Sequence, residues 1–126
     1  MELNRVPIVI GRAKLSVWAL EVDGQSDVAD FLLAQRTQDP LLFDRLRAIF
    51  RHIAEAGTAA GGQWLRQLRA WPEQWEIRQS RHRFLGFLDG DALILCLYRL
   101  KSGQDPARQA LERVERLRKE WSHEHE

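Results

Sequence analysis

Cysteine, methionine and tyrosine each occur only once in this sequence of 126 residues. The single cysteine, Cys96, lies in an apolar run, so a disulfide within the chain is excluded and a buried thiol in a reducing compartment is predicted. Neither sign of charge is in excess, since 19 basic and 18 acidic residues give a net charge of +1. The chain as a whole therefore lacks the field of a nucleic-acid-binding protein, and any such role must come from local clustering.

Long hydrophobic runs are also absent near the N-terminus. The segment MELNRVPIVIGRAK has a short apolar stretch with charges on both sides, which predicts neither a signal peptide nor a membrane span. We therefore expect a cytoplasmic protein without membrane contact. The length predicts one domain, residues 1–126, with a polar and frayed tail from about residue 122.

The familiar motifs of enzyme sites are missing as well. The sequence has no phosphate-binding glycine loop, no nucleophile elbow, no zinc-ligand spacing and no acidic pair placed for glycoside hydrolysis. His123 and His125 form an HxH pair, which we interpret as part of the polar tail because nothing nearby would orient two ligands. His52 is interpreted as a surface residue of a helix. We therefore expect neither a metal nor a cofactor.

What the sequence does contain is a regular succession of strand and helix patterns. Capping residues followed by proline, at Asp39-Pro40 and Asp105-Pro106, each predict the start of a helix. The predicted elements are a strand at 15–22, a helix from Ser26 to about 35, a helix from Asp39 to Gly57, a loop to residue 74, strands at 75–79, 84–88 and 92–100, and a helix from Asp105 to about 121. The order β-α-α-β-β-β-α indicates an α+β domain whose helices pack on one face of a small, mostly antiparallel sheet.

Two of these predicted strands have no polar face. Residues 84–88 and 92–97 are apolar at almost every position, whereas the two early helices can cover only one face of the sheet. The last helix is expected to cover part of the other face. A partner protein is expected to cover the remainder.

Positive charge is concentrated before and within the predicted hairpin. The segment from Trp64 to Arg83 holds five arginines and two glutamates: Arg66, Arg69, Arg78, Arg81, Arg83, Glu73 and Glu76. Tyr98, Arg99 and Lys101 end the last predicted strand. Antiparallel pairing would bring several of these guanidinium groups to one end of the sheet, where they could hold a phosphodiester. The alternative is a solvated hairpin end, whose arginines pair with Glu73, Glu76 and Asp91.

The same segment resembles a known family. WEIR at 75–78 and RFLGFLDGD at 83–91 resemble the LWELR and YRVLYFFDGD segments of the RelE/HigB-like toxins, in particular the phage-derived Gp49-like branch of the RelE/ParE superfamily. WLRQL at 64–68 is similar to that branch's YLKKL, and Lys101, Gln104 and Pro106 are similar to its KKTQKTP. The resemblance covers about residues 64–118. Ser102 stands where the branch has its second lysine, and Gly103 and Asp105 stand where it has threonines.

The resemblance implies the toxin of a type II toxin–antitoxin pair with a RelE-like fold. Such a protein is a metal-independent endoribonuclease that cleaves messenger RNA, commonly on the ribosome, and a cognate antitoxin, often with a helix-turn-helix domain, neutralises it. The implied catalytic residues are Arg83, Arg78, Lys101 and His82, and the implied RNA-binding residues are Arg66, Arg69, Arg99 and Tyr98. His82 would transfer a proton, or would be a hairpin-end histidine without a role. The alternative function is a non-catalytic binding protein on the same scaffold, either a gyrase inhibitor like ParE or a degenerate protein that only binds an antitoxin.

Overall fold

The computed structural model of the protein describes residues 1–10, 14–60 and 63–125. Over these residues the chain forms one six-stranded sheet, three α-helices and a short 3₁₀ turn at Gly57–Ala60. The strands are β1 (Leu3–Val9), β2 (Ser16–Val22), β3 (Leu65–Gln67), β4 (Gln74–Gln79), β5 (His82–Asp89) and β6 (Ala92–Leu100). The helices are α1 (Asp27–Gln38), α2 (Pro40–Ala56) and α3 (Arg108–Glu124). The α+β class predicted from the sequence is confirmed.

The sheet has the strand order β1-β2-β6-β5-β4-β3. Every neighbouring pair is antiparallel except β2 and β6, which run parallel. The two helices and three strands between them in the chain form the long crossover that a parallel pair needs. The β5–β6 hairpin turns at Gly90, whose positive φ of 60° is the conformation that the DGD sequence predicts. The sheet is therefore mixed, with the two most apolar strands, β5 and β6, at its centre.

Helices α1 and α2 pack on one face of this sheet. Ser26 caps α1, because its hydroxyl accepts a hydrogen bond from the Ala29 amide at 3.1 Å, and Asp39 caps α2 through the Leu42 amide at 3.2 Å. The inward face of α2 buries Leu46, Phe50 and Ile53 against the sheet. Each such side chain contributes roughly 1.5–3 kcal/mol by leaving water.

Helix α3 packs on the opposite face, which corrects the prediction that the helices lie on one face only. Its apolar side, which includes Val114, Leu117 and Trp121, is buried against residues of β5 and β6 such as Phe87 and Ile94. Residues 84–87 and 92–97 are buried within the chain itself. A partner protein is therefore not needed to explain why β5 and β6 are apolar on both faces.

Two strands and one helix start differ from the sequence prediction. Strand β1 was not predicted, because Pro7 and the charged residues of LNRVPIV are unusual in a strand. Strand β1 lies at the edge of the sheet, where a proline is tolerated because one side of the strand forms no ladder hydrogen bonds. Strand β3 spans only three residues, within the segment predicted as a loop. Helix α3 begins at Arg108, after an N-cap at Ala107 that makes no side-chain capping bond, so Asp105 is not its cap. The helix continues to Glu124, and the ring of His125 stacks on Trp121.

A bulge in the β5–β6 ladder determines which side chains of β6 lie on the α3 face between the bulge and the end of that strand. Leu85 pairs with Leu97 but Gly86 pairs with Leu95, so Cys96 is the extra residue. Gly86 permits this close approach, because a Cβ atom at that position would lie 2.0 Å from the Ile94 carbonyl oxygen. Beyond the bulge, Leu97 lies in the α3-side core and Arg99 pairs with Arg83.

In the part of the chain that the structure describes, no helix combines the length and the apolar character required to cross a bilayer.

Candidate active site

Three neighbouring strands deliver arginines to the α3 face at the end of the sheet where β5 begins. Arg66 of β3 pairs with Glu76 of β4, and Arg78 of β4 pairs with Arg83 of β5. Glu76 also lies directly opposite Leu85, which is part of the α3-side core. Side chains alternate between the faces along a strand, so all four polar residues share the α3 face.

Glu76 is the centre of this group and is only 1% exposed. Its Oε1 atom lies 3.2 Å from Arg66 Nη2 and 4.0 Å from Arg78 Nε. Burial raises the pKa of the Glu76 carboxyl above its ordinary value, although the positive charges of Arg66, Arg83 and Arg78 act in the opposite direction. A buried carboxyl with a raised pKa among cations is typical of a functional site.

Sequence reasoning missed Glu76 as a functional residue and treated it as a surface partner of the arginines. The structure shows the pairing with Arg66, but places it in the interior. A signal was available in QWEIRQ: the alternation that buries Gln74 against α3 also carries Glu76 to that face. The amide of Gln74 donates to the Leu111 carbonyl at 2.8 Å, which fixes β4 against the helix.

A cavity of about 200 Å³ opens beside Glu76 and Arg83. Its walls are the start of β5, the end of β6, the loop from Lys101 to Ala107 and the first two turns of α3. The charged residues that line it are four cations, Arg83, Arg99, Lys101 and Arg113, and two carboxylates, Glu76 and Asp105. The excess of cations makes the cavity suited to an anion.

Arg83 lines the cavity beside Glu76. Its Nη1 atom donates hydrogen bonds to the carbonyls of Ser80 at 2.7 Å and His82 at 3.0 Å, which hold the guanidinium at the mouth of the hairpin. Burial lowers the pKa of Arg83; Glu76 opposes this shift, whereas Arg78 and Arg66 add to it. Three guanidinium groups therefore repel one another here, and a bound anion would relieve that repulsion.

Two other cations predicted from the sequence also line the cavity. The Arg99 guanidinium donates to Asp27 Oδ2 at 3.1 Å and to the Tyr98 carbonyl, so it is tied to the start of α1. Lys101 has an exposed side chain, and its backbone amide donates to the Arg81 carbonyl at 2.8 Å. Lys101 is thus anchored by its main chain at the edge of the cavity, and its side chain is exposed.

His82 and Tyr98 lie on the opposite face of the sheet from Arg78 and Arg83. His82 Nδ1 and the Tyr98 hydroxyl are hydrogen-bonded at 2.6 Å, and Phe31 of α1 stacks on Tyr98 with ring centroids 3.6 Å apart. Burial lowers the pKa of His82; Asp39 opposes the shift, and Arg83 and Arg81 reinforce it. Burial also raises the pKa of Tyr98. We refer to Phe31, His82 and Tyr98 as the aromatic cluster.

The remaining predicted RNA-binding residue, Arg69, is exposed in the loop after β3. It lines a neighbouring recess together with Arg66 and Asp105, so it borders the candidate site without entering the cavity. Arg81 is exposed in the β4–β5 turn. Of the eight residues predicted as catalytic or RNA-binding, the structure thus gathers Arg66, Arg78, Arg83, Arg99 and Lys101 around or beside one cavity.

Comparison with known proteins adds no family to this geometry. No family model matches the chain, and no curated protein is significantly similar to it. Among the residues described, no three or more histidine, cysteine, aspartate or glutamate side chains are grouped so that they could hold a metal ion.

Proposed function

We propose that this protein is the toxin of a type II toxin–antitoxin pair and that it cleaves messenger RNA as a metal-independent endoribonuclease in association with the ribosome. The observation that carries the proposal is the buried Glu76 carboxyl among the guanidinium groups of Arg66, Arg78 and Arg83 at the edge of a cationic cavity. Such a target implies a cytoplasmic location.

The first chemical step needs a base, and Glu76 is the candidate. In this reaction the ribose 2′-hydroxyl loses its proton while its oxygen attacks the adjacent phosphorus. Burial shifts the pKa of Glu76 upward, in the direction of neutral pH, and a general base is most effective when its pKa lies near the working pH. The ion pair with Arg66 holds the carboxylate in one orientation.

The second requirement is a counter-charge for the crowded phosphate. Negative charge grows on its non-bridging oxygens as the fifth bond forms, and Arg83 and Arg78 supply fixed cations beside Glu76. Removing one donor of this kind costs roughly 10²–10³ in rate in well-studied enzymes. The strands hold these groups in place before RNA binds, so little reorganisation is needed during the reaction.

The third requirement is a proton for the departing 5′-oxygen. Lys101 lines the same cavity and carries a proton that it can donate, whereas no described histidine lines that cavity. The P–O5′ bond breaks as the oxygen takes this proton. The products are a 2′,3′-cyclic phosphate and a 5′-hydroxyl end, and the proton taken by Glu76 returns to solvent.

The decisive experiment incubates the purified protein with a single-stranded RNA, once as a message on ribosomes, which is the proposed target, and once free in the presence of a chelator. We expect cleavage that yields cyclic phosphate ends and that stops when a 2′-deoxynucleotide replaces the nucleotide at the cut. A matched pair of variants, Arg83→Ala and Arg81→Ala, removes one cation from the site and one from the exposed turn. Equal activity in the two variants would overturn the site, and cleavage of the 2′-deoxy substrate would overturn the mechanism.

The proposed partner is a cognate antitoxin protein with a helix-turn-helix domain. Its support is the resemblance of residues 64–118 to the RelE/HigB-like toxins. A small open reading frame adjacent to the gene should encode it, and its product should co-purify with this chain and restore growth when both are expressed. A neighbouring protein that neither binds this chain nor restores growth would count against the pairing.

The alternative is a non-catalytic protein on the same scaffold, acting as a gyrase inhibitor or as an antitoxin-binding protein. The observation that favours it is the absence of any described histidine from the cavity, which leaves Lys101 as the proton donor. Primer extension on messenger RNA after induction separates the two functions from each other. New 5′ ends support the nuclease, whereas intact messages with loss of DNA supercoiling support the gyrase inhibitor.

A further inference from the structure

The loop between β6 and α3 places a carboxylate over the arginine site. Asp105 precedes Pro106, a pairing that usually supplies the N-cap of a helix. In this fold the N-cap is Ala107, and it makes no side-chain capping hydrogen bond. The Asp105 side chain is thus not used to start α3.

The Asp105 side chain contacts Arg66 instead. Asp105 Oδ1 lies 3.6 Å from Arg66 Nη2, the same nitrogen that lies 3.2 Å from Glu76 Oε1. One guanidinium group is therefore shared by two carboxylates of different character. The Glu76 side chain is 2% exposed, whereas the Asp105 side chain is 82% exposed. An ion pair with so exposed a partner is weak and readily exchanged.

The donors of Arg66 are not exhausted by these two carboxylates. Within the described part of the chain, its Nε and Nη2 atoms are both buried and make no hydrogen bond, so the contacts of Nη2 with the two carboxylates are ion pairs only. Asp105 also lines both the cavity beside Glu76 and the neighbouring recess of Arg69. Arg66 lines that recess as well, so an anion that enters it meets the Asp105 carboxylate beside the guanidinium.

We propose that Asp105 is a built-in competitor for the phosphate subsite at Arg66. Its carboxylate occupies the guanidinium in the free protein, repels an incoming phosphodiester and moves aside when RNA binds, so it sets the affinity of the site without taking part in bond breaking. This inference rests on the proposed function, because the ligand it competes with is an RNA phosphate. Glu76 does not compete in this way, since it is buried and stays paired.

The test measures the binding of a single-stranded 2′-O-methyl oligonucleotide, which cannot be cleaved, to the full chain by fluorescence anisotropy. We expect Asp105→Asn, an uncharged variant of nearly the same shape, to bind about two- to five-fold more tightly at low salt. The gain should shrink at higher salt because the competition is electrostatic. Asp91→Asn, which removes the same charge from the exposed β5–β6 turn, should bind as the wild type does.

A second pair of variants shows whether the effect passes through Arg66. Asp105→Asn should produce no gain in an Arg66→Gln background, because the contested guanidinium is gone. If Asp105→Asn still raises the affinity in the Arg66→Gln background, or if Asp105→Asn and the wild type bind equally, then Asp105 does not compete for Arg66. If Arg83→Ala nevertheless weakens binding, the proposed function stands and only the role of Asp105 falls. Oligonucleotide binding that neither Arg83→Ala nor Asp105→Asn changes would overturn both.

Discussion

The two faces of the sheet differ most where β5 begins, although the same strands build both. On the α3 face, Arg78 and Arg83 surround a buried carboxylate beside an open cavity. On the α1 face, His82 and Tyr98 form a packed aromatic cluster with Phe31. His82 and Arg83 are adjacent in sequence yet point to opposite faces. Residues that form one charged segment in the sequence thus belong to two environments, one open to a ligand and one closed by packing.

The largest expected effect is the loss of cleavage rate when Glu76, on the α3 face, is replaced by glutamine. The change removes the proposed base while keeping the size of the side chain, so cleavage should fall by roughly 10²–10⁴-fold. In the wild type the rate should rise with pH through the raised pKa of Glu76 and then level off, and this rising limb should be absent from the variant. Single-turnover cleavage across pH 4 to 8 measures both. An unchanged rising limb in the variant would remove Glu76 from the mechanism.

The bulge that supports the α3 face should be the most sensitive backbone position. Gly86→Ala would place a Cβ atom 2.0 Å from the Ile94 carbonyl oxygen, so β5 and β6 must separate. We expect a loss of about 1–3 kcal/mol or more in the free energy of unfolding, measured by urea denaturation. Gly103→Ala is the control, because its added Cβ would have only the Asp105 carbonyl oxygen, at 4.0 Å, as a neighbour. Equal stability of the two variants would contradict the close approach.

The electrostatics of the α3 face should also appear in the stability of the fold. The folded pKa of Glu76 is raised, so its protonated form favours the native state below the ordinary pKa of about 4.5, and this contribution is lost as pH rises through the folded pKa. Relative to Glu76→Gln, the wild type should therefore lose stability as pH rises from the ordinary pKa of about 4.5 through the raised pKa of the folded protein. Urea denaturation of both proteins along this range gives the difference. A difference that does not change with pH, or that moves in favour of the wild type as pH rises, would contradict the raised pKa.

The smallest effect is expected on the aromatic cluster. Tyr98→Phe removes the hydroxyl that is hydrogen-bonded to His82 but keeps the ring that stacks on Phe31. The free energy of unfolding should fall by about 0.5–1.5 kcal/mol, as for an ordinary hydrogen bond, and the cleavage rate should stay within about two-fold of the wild type. Thermal unfolding and the cleavage assay check the two parts. A loss of activity much larger than the loss of stability would place the aromatic cluster in the reaction.

The sequence predicted most of the elements, because their signals are local. The caps at Ser26 and Asp39 and the turn at Gly90 each involve side chains or backbone within a few residues. Strands β1 and β3 carry weak patterns, since an edge strand has fewer neighbours that constrain its sequence. The Asp105-Pro106 signal did not mark the N-cap, which is Ala107; Asp105 lies instead beside Arg66, a residue 39 positions earlier in the chain. Local propensity cannot register such a contact.

The candidate site was predictable in composition but not in arrangement. The concentration of arginines indicated an anion site, whereas the separation of His82 from Arg83 follows from the register of β4, β5 and β6. Glu76 was overlooked because a glutamate among arginines is usually a surface partner. Its burial results from the packing of α3 on that face, which the sequence pattern of β4 alone does not determine.

The most direct test of this account compares Arg83→Ala with His82→Ala in one cleavage assay on the same RNA. The two residues are neighbours in the chain, and only the alternation of β5 separates them. We expect Arg83→Ala to lose roughly 10²–10³-fold in rate and His82→Ala to stay within a few-fold of the wild type. Equal losses, or a larger loss for His82→Ala, would contradict the placement of the active site on the α3 face.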